Sequence, residues 1–534
     1  MGKHLNNIKA KSHPQHYLLH RYWGRKAHNV VSEYIKNYSK KNERVLDPFM
    51  GSGVVPIECL KLNRKCIGVD LNPISTFLVK TTLQKINLED FKRNFKIIYQ
   101  KNFKLFSNLY NTHCPKCGSL CLMSNSIWNN YSFAKIRGNC SSCGKFTKKT
   151  NNFDLNLIKK TKKIWKSKSK SIFYPKELIL KYVKRSDKTH LNMLFTDRAL
   201  IILSSINKDI NTIKNQSIRD NLKLCFSSML SSSSRMIPGN PATVQGRSGW
   251  VVSKLWVPKI HTEKNIFDTF LTRFEKFCKG KTETNKFKNI NEIKIYNQSS
   301  EKLKFIKNNS IDYIFTDPPY GQSISYFGLS MFWNAWLNKK VNYKNEIIYD
   351  QYRDKKYEDY EERIKKVFAE IYRVLKFDKY LSLTFHNRDI RIWEIIIKNL
   401  KLIGFKLENI CYQEQAVASG TQGLNKKNTF KGDFVYNFIK NKIIKNINIR
   451  TKKIQNVEEK IVKKINQLLR NNNNRLTPDK LYEKIIPYIV NNNFYKDKNG
   501  KTIDVENILN KYFLFKKITN SNKDEYVWVK NLQL

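Results

Sequence analysis

The sequence predicts an α/β protein whose core is a doubly wound, Rossmann-like sheet, split by a long insertion. Three observations carry this. Residues 44–71, RVLDPFMGSGVVPIECLKLNRKCIGVDL, read as strand, glycine-rich turn, helix and a second strand ending in an acid. The same grammar resumes only near Lys294-Ile295-Tyr296, and continues through Ile311–Phe315, a run of strand-forming residues that ends in Thr316-Asp317-Pro318-Pro319-Tyr320-Gly321. Between these parts stand two close cysteine pairs and a helical stretch, which such a sheet does not use.

The 534 residues leave room for a large core and appended modules, and a hydrophobic content of 40% with 13% aromatics supplies apolar surface to bury. A net charge of +55 and a pI near 9.9 favour a polyanionic partner, nucleic acid ahead of an anionic membrane surface. No amino-terminal apolar signal or long uninterrupted apolar run is present, so no membrane role is expected and a cytoplasmic location is.

Five segments follow in order. Residues 1–104 hold the first part of the core. Asp47 ends the first strand, and Gly51 and Gly53 open the helix after it. Glycines let the backbone pass close to a ligand, and a helix start offers free N–H groups. Asp70 ends the next strand, where a carboxylate can take both hydroxyls of a ribose. The third glycine of the dinucleotide pattern is replaced by Pro56 and no GK[ST] follows, which favours a nucleoside without pyrophosphate over a phosphate-binding turn.

Residues 105–195 carry Cys114-x2-Cys117 and Cys140-x2-Cys143, each pair followed by glycine. In an intracellular chain this spacing predicts a zinc ribbon holding a structural Zn2+ in a closed tetrahedron, with Cys121 a spare or a replacement ligand. Trp128, Tyr131, Arg137 and the lysines that follow are candidates to face nucleic acid, the lysines as phosphate binders; a solvated charged face is the alternative for the run at 159–170. Residues 196–290 read as mainly helical, TDRALIILSSINKDI opening on a Thr196/Asp197 cap, with a Gly/Pro/Ser loop at 238–250.

Residues 291–440 complete the core. VFAEIYRVLK reads as a helix, YLSLTFHN as a strand, IRIWEIIIKNLKLIGF as a helix closing on Gly404, and LENICYQEQ and DFVYNFI as two last strands. Trp333 and Trp336 fit the core, His386-Asn387 a turn, and the loop at 418–423 is a candidate DNA contact. Residues 441–534 read as a basic linker and a small helical or winged-helix module.

DPFMGSG, GVDLNP and TDPPY together resemble the amino-methylating (adenine-N6 and cytosine-N4), S-adenosylmethionine-dependent DNA methyltransferases, over residues 13–105 and 195–440. HRYWGRKAHNVVSEYI (20–35) resembles the segment ahead of that family's cofactor loop, and the motif order is that of members whose recognition region lies between the two motifs. The resemblance implies a class I methyltransferase sheet with an antiparallel final strand, target recognition in the insertion, and S-adenosylmethionine as cofactor. It places Asp47, Pro48, Phe49, Met50, Gly51, Ser52, Gly53 and Asn72 at the cofactor, Asp70 at its ribose and Leu71 beside the adenine. Asn297 or Ser299 would touch the adenine, and Tyr22, Trp23 and Lys26 would help close the pocket, packing being the alternative for Trp23.

It also implies that Asp317, Pro318, Pro319 and Tyr320 are catalytic. An exocyclic amine is a poor nucleophile because its lone pair is delocalised into the ring, and the base must leave the duplex to be reached. Asp317 and the Pro318 carbonyl would accept the amine protons and turn the lone pair toward the methyl group, while Tyr320 stacks on the base. No cysteine follows a proline in the chain, so the nucleophile of cytosine carbon-5 methylation is missing. DPPY is commoner in adenine-N6 enzymes. Adenine N6 of double-stranded DNA is therefore the expected target, with cytosine-N4 and RNA guanine-N2 methylation as alternatives and a restriction endonuclease as a possible partner.

Overall fold

The structure, a computed structural model, describes residues 5, 7–130, 132–246, 250, 254–321, 324–387, 389–414, 432–441, 456–520 and 523–531. Its core sheet has seven strands: β1 (Arg44–Asp47), β2 (Lys65–Asp70), β3 (Ile293–Asn297), β4 (Ile311–Thr316), β5 (Leu375–Phe385), β6 (Phe405–Gln413) and β7 (Asp433–Lys440). They stand in the order β3-β2-β1-β4-β5-β7-β6. The first five are mutually parallel, and β7 runs antiparallel to both neighbours.

The strands are apolar on both faces because both faces are covered. Alternate residues divide between two cores, as a period of two demands. Val45, Cys66, Tyr313 and Phe315 face one core, shared with the helices His28–Tyr38, Val54–Lys61 and Pro73–Leu83. Leu46, Ile67, Ile314 and Leu381 face the other, shared with helices Tyr357–Val374 and Ile390–Ile403. The second helix ends at Gly404 in the left-handed conformation, as its sequence predicts. Trp333 and Trp336 are buried, also as expected.

The insertion is knit together across its length. A five-stranded sheet is made by Asn111–His113, Leu120–Asn129, Ser132–Cys140, Gly144–Lys149 and, far downstream, Ile260–Lys264, which pairs with Leu120–Asn129. The stretch read as mainly helical holds the helices Asp197–Asn211, Gln216–Met229 and Ile266–Thr284, but also this strand and a two-residue hairpin at Gly239–Asn240 and Gln245–Gly246. Thr196 caps the first helix through the Ala199 N–H at 3.3 Å. One buried ion pair ties the parts: Arg198 donates from Nε and Nη2 to both oxygens of Glu263, each at 2.7 Å. Thr196 and the Trp128 indole donate to the same carboxylate. The half-buried Trp128 is thus tied to this buried pair through its indole N–H; Tyr131 lies outside the described residues.

The carboxy-terminal module contains helices Val457–Arg470, Pro478–Asn492 and Val505–Tyr512 and a three-stranded antiparallel sheet of Arg475–Leu476, Phe513–Asn520 and Lys523–Lys530. Ile461, Ile485 and Trp528 join Trp393, Phe434 and Tyr436 in one core, and the Tyr412 hydroxyl donates to Asp479 at 2.8 Å.

Candidate active site

The parallel strands end together on one edge of the sheet, where β1 lies between β2 and β4. There the helix after β1 (Val54–Lys61) covers one face of the sheet and helix Tyr357–Val374, which leads from β4 into β5, covers the other, which opens a crevice at the strand ends. One cavity occupies it. Nine of the ten residues expected at a cofactor line it: Asp47 to Ser52, Asp70, Leu71 and Asn72. Asp317 and Pro319 open into the same space, with Tyr22, Trp23 and Lys26 across from them.

The glycine loop is held from behind. Asp70 accepts the Gly51 and Asn72 N–H groups, both at 2.8 Å, and Ser75 donates to the Gly51 carbonyl. Asn72 caps the helix that starts at Pro73. Gly53 is the one expected cofactor residue that does not line the cavity. Its φ of 80° starts the helix Val54–Lys61, and Val79 packs against its α-carbon. Pro56 falls in that helix's first turn, where a missing N–H costs nothing. Of the two candidates at the end of β3, Asn297 donates to the Asp70 carbonyl at 2.9 Å, and Ser299, just past the strand, reaches the cavity beside Gln298 and Ser300.

The charge here is dominated by acids. Burial pushes Asp70 up to about 6, against the two N–H groups it accepts. Burial first, then the neighbouring Asp317 and Asp70, holds Asp47 well above the usual carboxylate range. Its Oδ1 accepts the Phe49 N–H at 3.1 Å and the Thr316 hydroxyl at 3.4 Å, linking β1 to β4. Such a cavity favours a ligand that carries positive charge and hydroxyl donors.

Asp317 is held by three side chains. Tyr320 and Thr384 donate their hydroxyls to Oδ1, the latter at 2.9 Å, and Lys26 Nζ stands 3.3 Å away. Burial raises its pKa, Asp433 adds to this, and Lys26 and the two hydroxyls oppose it. Pro318 is buried behind the cavity wall, and the Pro319 carbonyl accepts the Tyr360 hydroxyl at 2.8 Å. The Tyr320 carbonyl accepts from Asn387 at 2.8 Å, so the expected turn at His386-Asn387 also braces this loop. The loop at 418–423 lies outside the described residues.

Sequence reasoning missed Asp433 and Thr384. Asp433 is the first residue of β7, and only the antiparallel direction of that strand brings its start to the edge where the others end. Tyr326, Phe327, Glu346 and Ile347 complete the cavity wall from the segment after the DPPY loop.

Away from this site, Cys114, Cys117, Cys140 and Cys143 place their sulfurs within 4.8 Å of one another. Tetrahedral zinc thiolates at about 2.3 Å need sulfurs about 3.8 Å apart, so the set fits such an ion. Gly118 and Gly144 take positive φ just after each pair, letting each loop fold back over its sulfurs. Cys121 is outside the group of four.

The mixed, mostly parallel sheet fits a methyltransferase-like α/β fold. A family model described as DNA methylase matches residues 3–76. The chain is 26% identical over 91 residues to the type II methyltransferase M.MjaII of Methanocaldococcus jannaschii, 17% of either chain. It is 34% identical over 85 residues to the type II methyltransferase M.BsoBI of Geobacillus stearothermophilus, 15% of this chain and 17% of the relative. The matched stretch thus spans about a sixth of each relative's length. Over these stretches the chain is similar to amino-methylating (N6/N4) DNA methylases.

Proposed function

We propose that this chain transfers a methyl group from S-adenosylmethionine to the exocyclic amine of a base flipped out of duplex DNA, adenine N6 being the target. The observation that carries this reading is the opening of Asp317 into the cavity formed by the glycine loop, Asp47 and Asp70. The cofactor supplies an electrophilic methyl on a cationic sulfur. Asp47 and Asp70 provide the negative charge and the hydroxyl acceptors suited to it, and Phe49, Met50 and Tyr22 the apolar wall. Asp317 accepts an amine proton and aims the lone pair; Tyr320 packs against the ring.

The insertion serves as the recognition region, its shape maintained by Zn2+ on the four cysteines, and exposed lysines of the helix Asn152–Lys168 meet DNA phosphates. Among the described residues no helix is long and apolar enough to cross a membrane. A cytoplasmic enzyme paired with a restriction endonuclease is the cellular setting we infer.

The test is incubation with methyl-labelled S-adenosylmethionine and either duplex DNA or tRNA, followed by nucleoside analysis. N6-methyladenine in DNA is the expected product. N4-methylcytosine would retain the class and correct the base, while label in tRNA guanine alone would overturn the DNA reading.

A further inference from the structure

Lys26 belongs to the segment ahead of the glycine loop, yet its ammonium sits among the groups that hold the DPPY motif. Nζ lies 2.6 Å from the Tyr320 hydroxyl, 2.8 Å from Asp433 Oδ2 and 3.3 Å from Asp317 Oδ1. The three contacts match the three N–H donors of an ammonium. The Lys26, Asp317 and Asp433 side chains are 16%, 20% and 9% exposed, so these charges interact with little solvent between them. Neighbouring Arg25 is fixed through Ser52 at 3.2 Å and the His20 carbonyl at 3.0 Å, which pins the backbone that delivers Lys26.

We propose that Lys26, held in place by Asp433, keeps Asp317 ionised and turned toward the substrate amine, making Lys26 and Asp433 positioning residues for methyl transfer. The inference rests on the methyl-transfer reading given above. Among the described residues the three contacts to Asp317 all fall on Oδ1, from Lys26, Tyr320 and Thr384, and leave Oδ2 for the amine. An aspartic acid that held its proton would lose an acceptor and present a donor to a donor. Burial and two nearby carboxylates, Asp433 and Asp47, favour that proton; Lys26 is the ammonium that opposes it. Among the described residues the other titratable groups facing this cluster are Tyr320 and Tyr326, and His386, whose Nδ1 lies 2.7 Å from the Gly432 carbonyl. Asp433 accepts Lys26's second donor and so fixes where the ammonium stands, while its own charge tempers the effect on Asp317.

The two partners therefore act on Asp317 in opposite directions, which a merely structural pair would not do. In the full-length chain labelled with 13C at aspartate carboxyls, the Asp317 resonance is identified by its loss in Asp317→Asn and followed with pH. Lys26→Met is expected to raise its midpoint by about one unit or more, and Asp433→Asn, which keeps an acceptor for Lys26, to lower it. The acid limb of kcat for DNA methylation should move the same way in each variant, with KM for DNA changed less than kcat. An unmoved midpoint in Lys26→Met, or shifts of the same sign in both variants, overturns the pair. If wild-type protein transfers no methyl to nucleic acid, the methyl-transfer reading fails, and the titration still decides the pair.

Discussion

Gly53 separates the two ways a glycine serves a ligand loop. It lies outside the cavity wall, so replacing it with alanine adds nothing to the space a ligand fills. The new methyl would instead stand 2.9 Å from one γ-methyl of Val79 and closer still to the other, on a helix residue with no exposure. Two costs follow. A side chain at φ 80° costs about 1–2 kcal/mol, and overpacking a core contact adds about 1–3 kcal/mol. The expected loss in Gly53→Ala is thus about 2–5 kcal/mol, with weaker cofactor binding because Val79 belongs to the helix that Asn72 caps. Denaturant unfolding of Gly53→Ala, Val79→Ala and the double variant separates the terms. The space freed by Val79→Ala should remove the clash but not the strain, so the double variant should lose at least about 1 kcal/mol less than the singles combined. Additive losses, or a Gly53→Ala protein as stable as wild type, would refute the reasoning.

Asp317→Ala should abolish methyl transfer while S-adenosylmethionine binding, read by calorimetry, changes less than about threefold; undiminished transfer would sink the mechanism. Asp70 makes cofactor affinity pH-dependent. Its folded pKa lies above the ordinary value, so in the ligand-free chain it favours folding most in acid and loses that as pH rises through about 6. Hydroxyl binding needs the carboxylate, so affinity should weaken as pH falls through about 6, and Asp70→Asn should flatten that dependence. Arg198→Met leaves Glu263 charged in a buried site and should cost about 3–5 kcal/mol in denaturant unfolding; under about 1 kcal/mol would mean the pair is dispensable. Chelation should remove one zinc per chain and expose amides of residues 111–149 to hydrogen exchange, and unchanged protection in the stripped protein would exclude a structural metal.

Local pattern was enough for much of this protein. The glycine turn, the acids at two strand ends, the capped helices and the DPPY loop are contiguous stretches whose periodicity and turn chemistry are written in neighbouring residues. The spacing of the cysteine pairs likewise announced four sulfurs gathered in one place. Three features were set only by tertiary structure. Asp433 enters the site because an antiparallel strand begins where parallel strands end, and no residue near it in sequence signals strand direction. Lys26 meets Asp317 and Asp433 because folding brings three distant segments to one sheet edge. The Trp128 indole is anchored because Arg198 and Glu263, far along the chain, meet beneath its strand and offer it a partner. The sequence by itself determined which strand ends line the candidate site, since each motif is local. Which other charges face them was decided by packing, because an ion pair depends on distance in space and not along the chain.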